Sequence, residues 1–529
     1  MTTLVAPAER RGERLVWALA GLCALLFPAL YMWGFTVDDA LISVRYARNL
    51  ASGLGYRFDT SPGSPSTDGV TPLPWAFVLV PLAKGSAVEV LVRAKVLGIV
   101  LVSAAGARLG WVVGGLSRNT PTRTRVDEDE DGDAERIAPR SAPGRLVRGG
   151  ALLAIALAVP VAAHASSGME TAVVISLATF AACADKPSVR ALLAGVVASF
   201  RPEMLPWALA LSVFAYAPEK LEKPEKPGRE SSFSPSAIRK RGLPALLALA
   251  PFALCVLARL YAFGHPAPLA VSAKPSDLAH GFPYAGAALL VSVVPVFAFA
   301  PVAAASKGGR GIGRGLMVAF VAHVLVIVAV GGDWMPYGRL VAPVVPGLAL
   351  AGLVLPSDPR FRAGRLGLAL ALGAFLFAKT APAGRAVFED RRALIERARP
   401  VLGSAKTVAA LDIGWVSAST DARIVDLAGL TDPEIAALPG GHTSKRVGPS
   451  LLVDRGVDVL LVYATSGEES ALSGQPGRLE GTRVVEGRLL STELFARRFA
   501  ARGFLPLGGR GAGYVVYLRL PEVTETTRE

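Results

Sequence analysis

The chain is poor in the residues that usually announce a metal or redox centre. Its 529 residues include three cysteines and five histidines. Cys23, Cys183 and Cys255 each sit inside an apolar run, where a free thiol behaves as a small hydrophobe. No spacing suggests a disulfide framework or a zinc site. Charge is also thin, at 19% of residues. No internal repeat is visible, and no basic-aromatic module supports nucleic-acid binding. The first apolar run, "LVWALAGLCALLFPALYMWGF", is too long for a cleavable signal and has no small-residue cleavage site. It reads as a spanning helix.

What remains is apolar. Hydrophobic residues make up 52% of the chain, and the mean hydropathy is +0.44. Apolar runs recur at 15–35, 88–116, 150–165, 172–184, 191–199, 205–217, 243–262, 285–305, 316–330, 340–355 and 366–380. The expected fold is a polytopic α-helical membrane protein of about 11 spans over residues 1–380. Residues 381–529 have soluble composition and alternate between strand-like runs ("TVAALDIGWVS", "RIVDLAG", "VDVLLVY", "RVVEGRLL", "GYVVYLRL") and helix-like ones ("DPEIAAL", "STELFARRFAARG"). They should form an α/β domain, suited to handling an acceptor or packing on the spans.

The formal charge of +14, from 56 basic and 42 acidic residues, is best explained by orientation. Arg10, Arg11 and Arg14 precede the first span. Arginine and lysine crowd the loops 117–148 and 218–242, and two shorter loops carry Lys307, Arg310, Arg314, Arg360, Arg362 and Arg365. The positive-inside rule places all of these in the cytoplasm. This requires 70–82, "VTPLPWAFVLVPL", not to cross, and it puts the C-terminal domain outside. The acidic run "DEDEDGDAE" at 127–135 and the Pro, Ser and Lys-rich stretch 218–237 read as solvated, disordered loop.

Under that topology the outer loops hold the unusual polar groups: Asp38, Asp39, Arg45 and Arg48, then Glu170, Arg201 and Glu203, Lys274 and Asp277, and Asp333 and Arg339. Ionisable residues at membrane depth are functional candidates by default. The first outer loop, 34–71, opens with "GFTVDDALISVRYARNLASGLGYRFD". It should form an amphipathic helix from about Ala40 to Ser52 on the outer membrane surface, capped by one of the two aspartates and stopped at Gly53. Structural readings stand beside functional ones: Arg201 could pair with Glu203 and Asp333 with Arg339, while Lys274 has no obvious partner.

In order, "DDALISVRYARNLASGLGYRFD", "TPLPW", "SSGMETAV", "FRPEMLPWAL", "RLYAFGHPAPLAVSAK", "GGDWMPYGRLVAPVVP" and "DIGWVSASTDARIVDLAGLTDPEIA" resemble the GT-C membrane glycosyltransferases. They are most similar to the bacterial branch with mycobacterial terminal β-1,2-arabinofuranosyltransferases. Relatives often carry Asn-Pro-Leu-Trp where this chain has "TPLPW", and Leu-Pro-Asn where it has "APLAV", so the sugar does not carry over. The resemblance implies a polyprenyl-phosphate sugar donor, an envelope glycan or lipid acceptor, and a site on the outer face of the bacterial cytoplasmic membrane. Asp38 is then expected to be the general base, with Asp39 as cap, secondary acid or metal ligand. Arg201, Lys274 and Arg339 would hold the donor phosphate, with Arg45, Glu203 and Asp333 also binding substrate. A divalent cation stays open. The competing reading is a transporter or flippase for a lipid-linked glycan.

Overall fold

The computed structural model describes residues 7–62, 64–116, 143–215, 235–298, 311–465, 479–509 and 511–521. Most of the basic loops 117–148 and 218–242, the acidic run 127–135, and Lys307 and Arg310 lie outside the described residues.

Up to residue 402 the regular elements among the described residues are helices. In chain order the helices are α1 (Pro7–Tyr31), α2 (Asp38–Ala51), α3 (Leu73–Leu79), α4 (Ala87–Gly115), α5 (Arg145–Ala156), α6 (Val159–Ala165), α7 (Thr171–Ala182), α8 (Pro187–Phe200), α9 (Leu205–Phe214), α10 (Pro235–Phe263), α11 (Leu269–Ala273), α12 (Leu278–Ser292), α13 (Val294–Ala298), α14 (Ile312–Ala329), α15 (Val345–Val354), α16 (Pro359–Arg385) and α17 (Val387–Leu402). Among the described residues five helices are long and apolar enough to cross a membrane, and the α5–α6 pair, bent by 57°, makes a sixth if it counts as one span. The other expected spans coincide with α7, α8, α9, α12 and α15, of 10 to 15 residues. At 1.5 Å per residue these reach only ~15–23 Å, short of the ~30 Å hydrocarbon core. Helix length therefore supports a membrane protein without fixing eleven crossings.

Small residues let α1 and α4 lie against each other. A Cβ on Gly106 would collide with the carbonyl oxygen of Gly21, and one on Gly110 with that of Trp17, while Gly115 faces Arg14. The N-terminal half of α1 thus meets the C-terminal half of α4, so the two run antiparallel. The intervening segment 32–86 leaves and re-enters the bundle at the same end. That places the short α3 and the turn Val80–Leu82 at this end.

At the opposite end arginines satisfy free helix carbonyls. Arg190 donates to Ala184 O at 2.6 Å and Arg362 to Leu355 O at 2.7 Å. Arg148 sits over the Trp17 ring and pairs with Glu13.

The C-terminal domain holds a five-stranded sheet of order β2-β1-β3-β5-β4. Its strands are β1 (Thr407–Ala410), β2 (Arg423–Asp426), β3 (Val459–Ala464), β4 (Phe499–Pro506) and β5 (Gly513–Arg519). β1 pairs in parallel with β2 and β3, whereas β5 runs antiparallel to β3 and β4. Three expectations are corrected. In "TVAALDIGWVS" only Thr407–Ala410 is strand, and Ile413–Ser419 is a helix. "VVEGRLL" is a helix, Val484–Leu490, because Glu486 reaches back to accept from the Arg483 amide at 2.8 Å. The segment from Phe499 is a strand, because β5 returns beside it. α16 runs past residue 380 to Arg385, and α17 begins two residues later.

The expected surface helix exists as α2, with Gly53 in the left-handed region after it (φ 75°). It does not lie on lipid. Ala40–Ala47 and Asn49 are all buried, because α2 is held between the bundle end (α3 and α4) and a helix of the C-terminal domain, α18 (Ile413–Ser419). The amphipathic pattern undercounts this burial, since its polar face is covered by polar partners rather than by water.

The α1–α4 contact yields a test. Gly106→Val should lower the thermal unfolding midpoint of the detergent-purified protein, in line with overpacking costs of about 1–3 kcal/mol or more where backbone is met. Gly242→Ala, which meets nothing within 4 Å, should leave the midpoint unchanged.

Candidate functional site

Side chains from seven separate stretches of the chain meet where α2, the bundle end and the C-terminal domain adjoin. They line a small open cleft of about 40 Å³ whose polar walls are Asp39, Ser43, Thr71, Glu170, Arg201, Lys274 and Arg339, with Leu430 contributed by the C-terminal domain. Each arrives by a local break in helix. Asp39 lies in the first turn of α2. Glu170 precedes α7, after the turn at Gly168 (φ 82°). Arg201 is extended (φ −137°, ψ 99°) between α8 and a short 3-10 turn at Pro202–Met204. Lys274 ends α11, and Arg339 follows Gly338, itself at φ 55°.

The cations are graded by how fully they are tied down. Glu170, wholly buried, lies 2.5 Å from Arg201 through Oε1, while its Oε2 has no hydrogen-bond partner among the described residues. Arg201 also reaches Glu203 at 3.3 Å. Arg339 donates from Nε to Asp333 at 2.7 Å. Burial would raise the Asp333 carboxyl, but Arg339, with Lys274 and Arg201, overrides this and holds it at about 2. Burial likewise works against the Arg339 charge, yet Asp333, Glu170 and Asp39 keep the guanidinium above its ordinary value. Lys274 is half-buried, with no ion pair within 4 Å among the described residues. The walls thus carry three cations against two carboxylates; because Glu203 and Asp333 stand behind Arg201 and Arg339, Lys274 is the cation left most open to an anion.

The aspartate pair separates. Neither caps α2, whose N-cap is Val37. Asp38 turns away from the cleft: Oδ2 accepts from the Gly414 amide at 2.7 Å, Oδ1 accepts from the Trp415 amide at 2.9 Å, and Arg391 pairs with Oδ1. Burial pushes this carboxyl up to about 6, against the pull of Arg391. Such a value would suit a general base, but geometry comes first, and both oxygens are already occupied. Asp39 is the carboxylate on the cleft, with no hydrogen bond or ion pair to its side chain among the described residues. The placement expected from the sequence, Asp38 free and Asp39 capping, is therefore exchanged. The reason is tertiary: the N-terminal amides of α18 face Asp38.

Arg45 is likewise away from the cleft. It donates to Phe58 O, Ser417 O and Thr420 O at 3.4 Å and to Asp421 at 3.2 Å, lacing α2 to the C-terminal domain. Glu203 and Asp333 stand behind Arg201 and Arg339 as partners and do not line the cleft. Of the eight candidate residues, the structure thus brings Asp39, Arg201, Lys274 and Arg339 together.

Other groups carried weaker sequence signals. Glu170 is a lone carboxylate in "SSGMET" between two apolar runs. Asp68 and Arg259 form a buried pair at 2.5 Å that fastens the first outer loop to α10; a lone arginine near the end of an apolar run was the signal. A divalent cation finds no ready-made cage. Among the described residues no three His, Cys, Asp or Glu gather, and of the two cleft carboxylates Glu170 is already paired.

A second cleft, of about 400 Å³, opens between Asp59, Pro62, Ser64, Pro65 and Thr67 on one side and the C-terminal domain at β2 and Thr431–Glu434 on the other. A family model described as a domain of unknown function (DUF8728) matches residues 390–517, covering most of α17 and the sheet domain through most of β5. No curated protein and no solved structure matches the chain.

Proposed function

We propose that the protein is a membrane glycosyltransferase of the GT-C type. It would transfer a sugar, with inversion, from a polyprenyl-phosphate donor to an envelope glycan or lipid on the outer face of the bacterial cytoplasmic membrane. The observation that carries this reading is the single cleft in which Asp39 stands opposite Arg201, Lys274 and Arg339. In this reading the short helices α7, α8, α9, α12 and α15 cross as well, giving eleven passes, a cytoplasmic N-terminus and an external C-terminal domain.

The chemistry follows from charge. The acceptor hydroxyl attacks the anomeric carbon, its proton passes to the Asp39 carboxylate, and the bond from that carbon to the phosphate oxygen breaks. The phosphate changes from a diester of charge about −1 to a monoester nearer −2. Cations fixed beside it therefore favour the transition state over the ground state. Arg339 and Arg201, held by Asp333, Glu170 and Glu203, are preorganised, and Lys274 adds a point charge that no other ion pair consumes. Phosphate is a good leaving group, so no separate acid is needed. A flippase reading is less supported: transporters place their polar sites near the membrane midplane on repeated halves, whereas these groups gather at one end of the bundle against a soluble domain.

Turnover can be followed with polyprenyl-phosphate sugars extracted from a strain lacking the protein. Asp39→Asn should lower kcat by about 10²–10⁴ with donor binding retained. Asp38→Asn should lower thermal stability, because Arg391 loses its ionic partner, yet keep turnover within about tenfold. A dead Asp38→Asn beside an active Asp39→Asn would return the base to Asp38.

Lys274→Ala should lower kcat by about 10²–10³ and not merely raise KM, as expected for a contact that strengthens in the transition state. Wild-type kcat in this variant would remove Lys274 from the phosphate site.

Topology has its own readout. In a background without native cysteines, Ser66→Cys and Glu493→Cys should react with an impermeant thiol reagent in intact cells, and Lys186→Cys should react only after permeabilisation. The reverse pattern would invert the protein in the membrane.

A further inference from the structure

The two clefts are neighbours along the chain. Gly69 and Leu430 line the first, and Thr67 and Thr431 line the second. The wall between them is about one residue thick: a Cβ built on Gly69 would lie 2.7 Å from Thr431 Cγ2 and 2.8 Å from Leu430 O. It is braced from both sides. Tyr46 of α2 donates to Thr67 O at 2.9 Å and accepts from the Gly69 amide at 3.1 Å. Asp426 accepts from the Thr431 amide at 2.7 Å. A molecule lying in the second cleft can therefore bring one end up to this wall, on whose far side Asp39 stands.

The lining of the second cleft differs from that of the first. Two guanidiniums, Arg423 and Arg455, face three carboxylates, Asp59, Asp432 and Glu434. They are paired with one another: Asp59 with Arg423 at 3.5 Å, and Asp432 and Glu434 with Arg455. Paired charges leave no net cation to attract phosphate, and the slight excess of carboxylate opposes an anionic occupant. What they offer is a dense set of planar donors and acceptors, with the hydroxyls of Ser64 and Thr67 and the ring faces of Pro62, Pro65 and Pro433. That is the chemistry of a neutral polyhydroxylated chain, whose hydroxyls use both donors and acceptors and whose C–H faces rest on apolar surface. Its volume, about 400 Å³, falls within the usual range for ligand clefts.

We infer that the second cleft is the acceptor subsite and binds a neutral glycan chain, with the end to be extended passing over the Gly69–Thr431 wall into the first cleft, where Asp39 stands. This rests on the transferase reading. It divides the labour by charge: the cation-rich cleft takes the anionic lipid donor, and the paired-charge cleft takes the neutral acceptor. The sheet domain enters the reaction through its edge strand β2, which pairs only with β1 and so leaves Arg423, Ile424 and Val425 to line the groove.

Binding can be measured without turnover. The probe is fluorescently labelled neutral oligosaccharide released from envelope polysaccharide, titrated onto the detergent-purified full-length protein, with undecaprenyl phosphate titrated separately. Arg423 and Glu434 are partly exposed (side chains 40% and 69%), so their substitution should spare the fold, and unchanged unfolding midpoints check this. Arg423→Ala, Glu434→Ala and the cleft-filling Ser64→Trp should each weaken oligosaccharide binding at least tenfold and leave undecaprenyl phosphate binding unchanged. Asp39→Asn should bind the oligosaccharide like wild type. Unchanged oligosaccharide affinity in Arg423→Ala and Ser64→Trp, no saccharide binding by wild type, or loss of undecaprenyl phosphate binding in the same variants would overturn the assignment. Sugar transfer that continues with unchanged acceptor KM in those variants would remove the subsite and keep the transferase. Cleft-dependent saccharide binding in a protein that transfers sugar from no polyprenyl-phosphate donor would keep the subsite and remove the transferase.

Discussion

The attachment of Asp38 to the N-terminal amides of α18 organises the functional end of this protein. One carboxylate takes two backbone N–H groups and a guanidinium, and these partners lie about 350 residues away or more in the chain. Close approach is allowed because residue 414 is glycine: a Cβ there would collide with the Asp38 carbonyl oxygen. Arg45 repeats the attachment about two turns along α2. With both ends laced, α2 is a fixed strut between bundle and sheet domain, and its orientation about its own axis is set. Successive side chains on a helix point about 100° apart. Fixing Asp38 toward the sheet domain therefore turns Asp39 elsewhere, and elsewhere is the cleft.

The same strut shapes both clefts. Tyr46, two turns after Asp38, holds Thr67 and Gly69, and these residues form the partition against Leu430 and Thr431. The first outer loop is pinned a second time by the buried Asp68–Arg259 pair. Charges this deeply buried are costly unless paired, and nearly all of those near the cleft are. Among the described residues the groups left over on the cleft stand out: Asp39 and Lys274, which have no ion pair, and Glu170 Oε2 and Arg201 Nη2, which have no hydrogen-bond partner. Pairing elsewhere makes the framework rigid and leaves these few groups to a substrate.

Much of the class of this protein was legible in its residues. Apolar runs separated by arginine-rich loops indicate a helical membrane protein whatever the details, because lipid demands long apolar helices. The gathering of Arg201, Lys274 and Arg339 was foreshadowed by their being ionisable residues in loops at one bundle end. The strand-like runs at 407 and 459 were readable as short β-branched and apolar segments. Less legible were "VVEGRLL", where a single glutamate reaching back to an amide outweighs two valines, and the number of crossings, since helices of 10 to 15 residues fall below the length at which composition alone decides.

By itself the sequence determined that the chain carries helices apolar enough to cross a membrane, that an α/β domain follows, and which ionisable side chains are confined to the loops between those helices. These are consequences of local composition, and each can be read within a window of some twenty residues. Only the tertiary structure decided which of two adjacent aspartates faces the cleft, that α2 is buried on both sides, and that Arg45 laces domains together. Each of these depends on a partner far away in the chain. A side chain's direction on a helix is a rotation of about 100° per residue, and no local pattern says which angle the distant partner will fix.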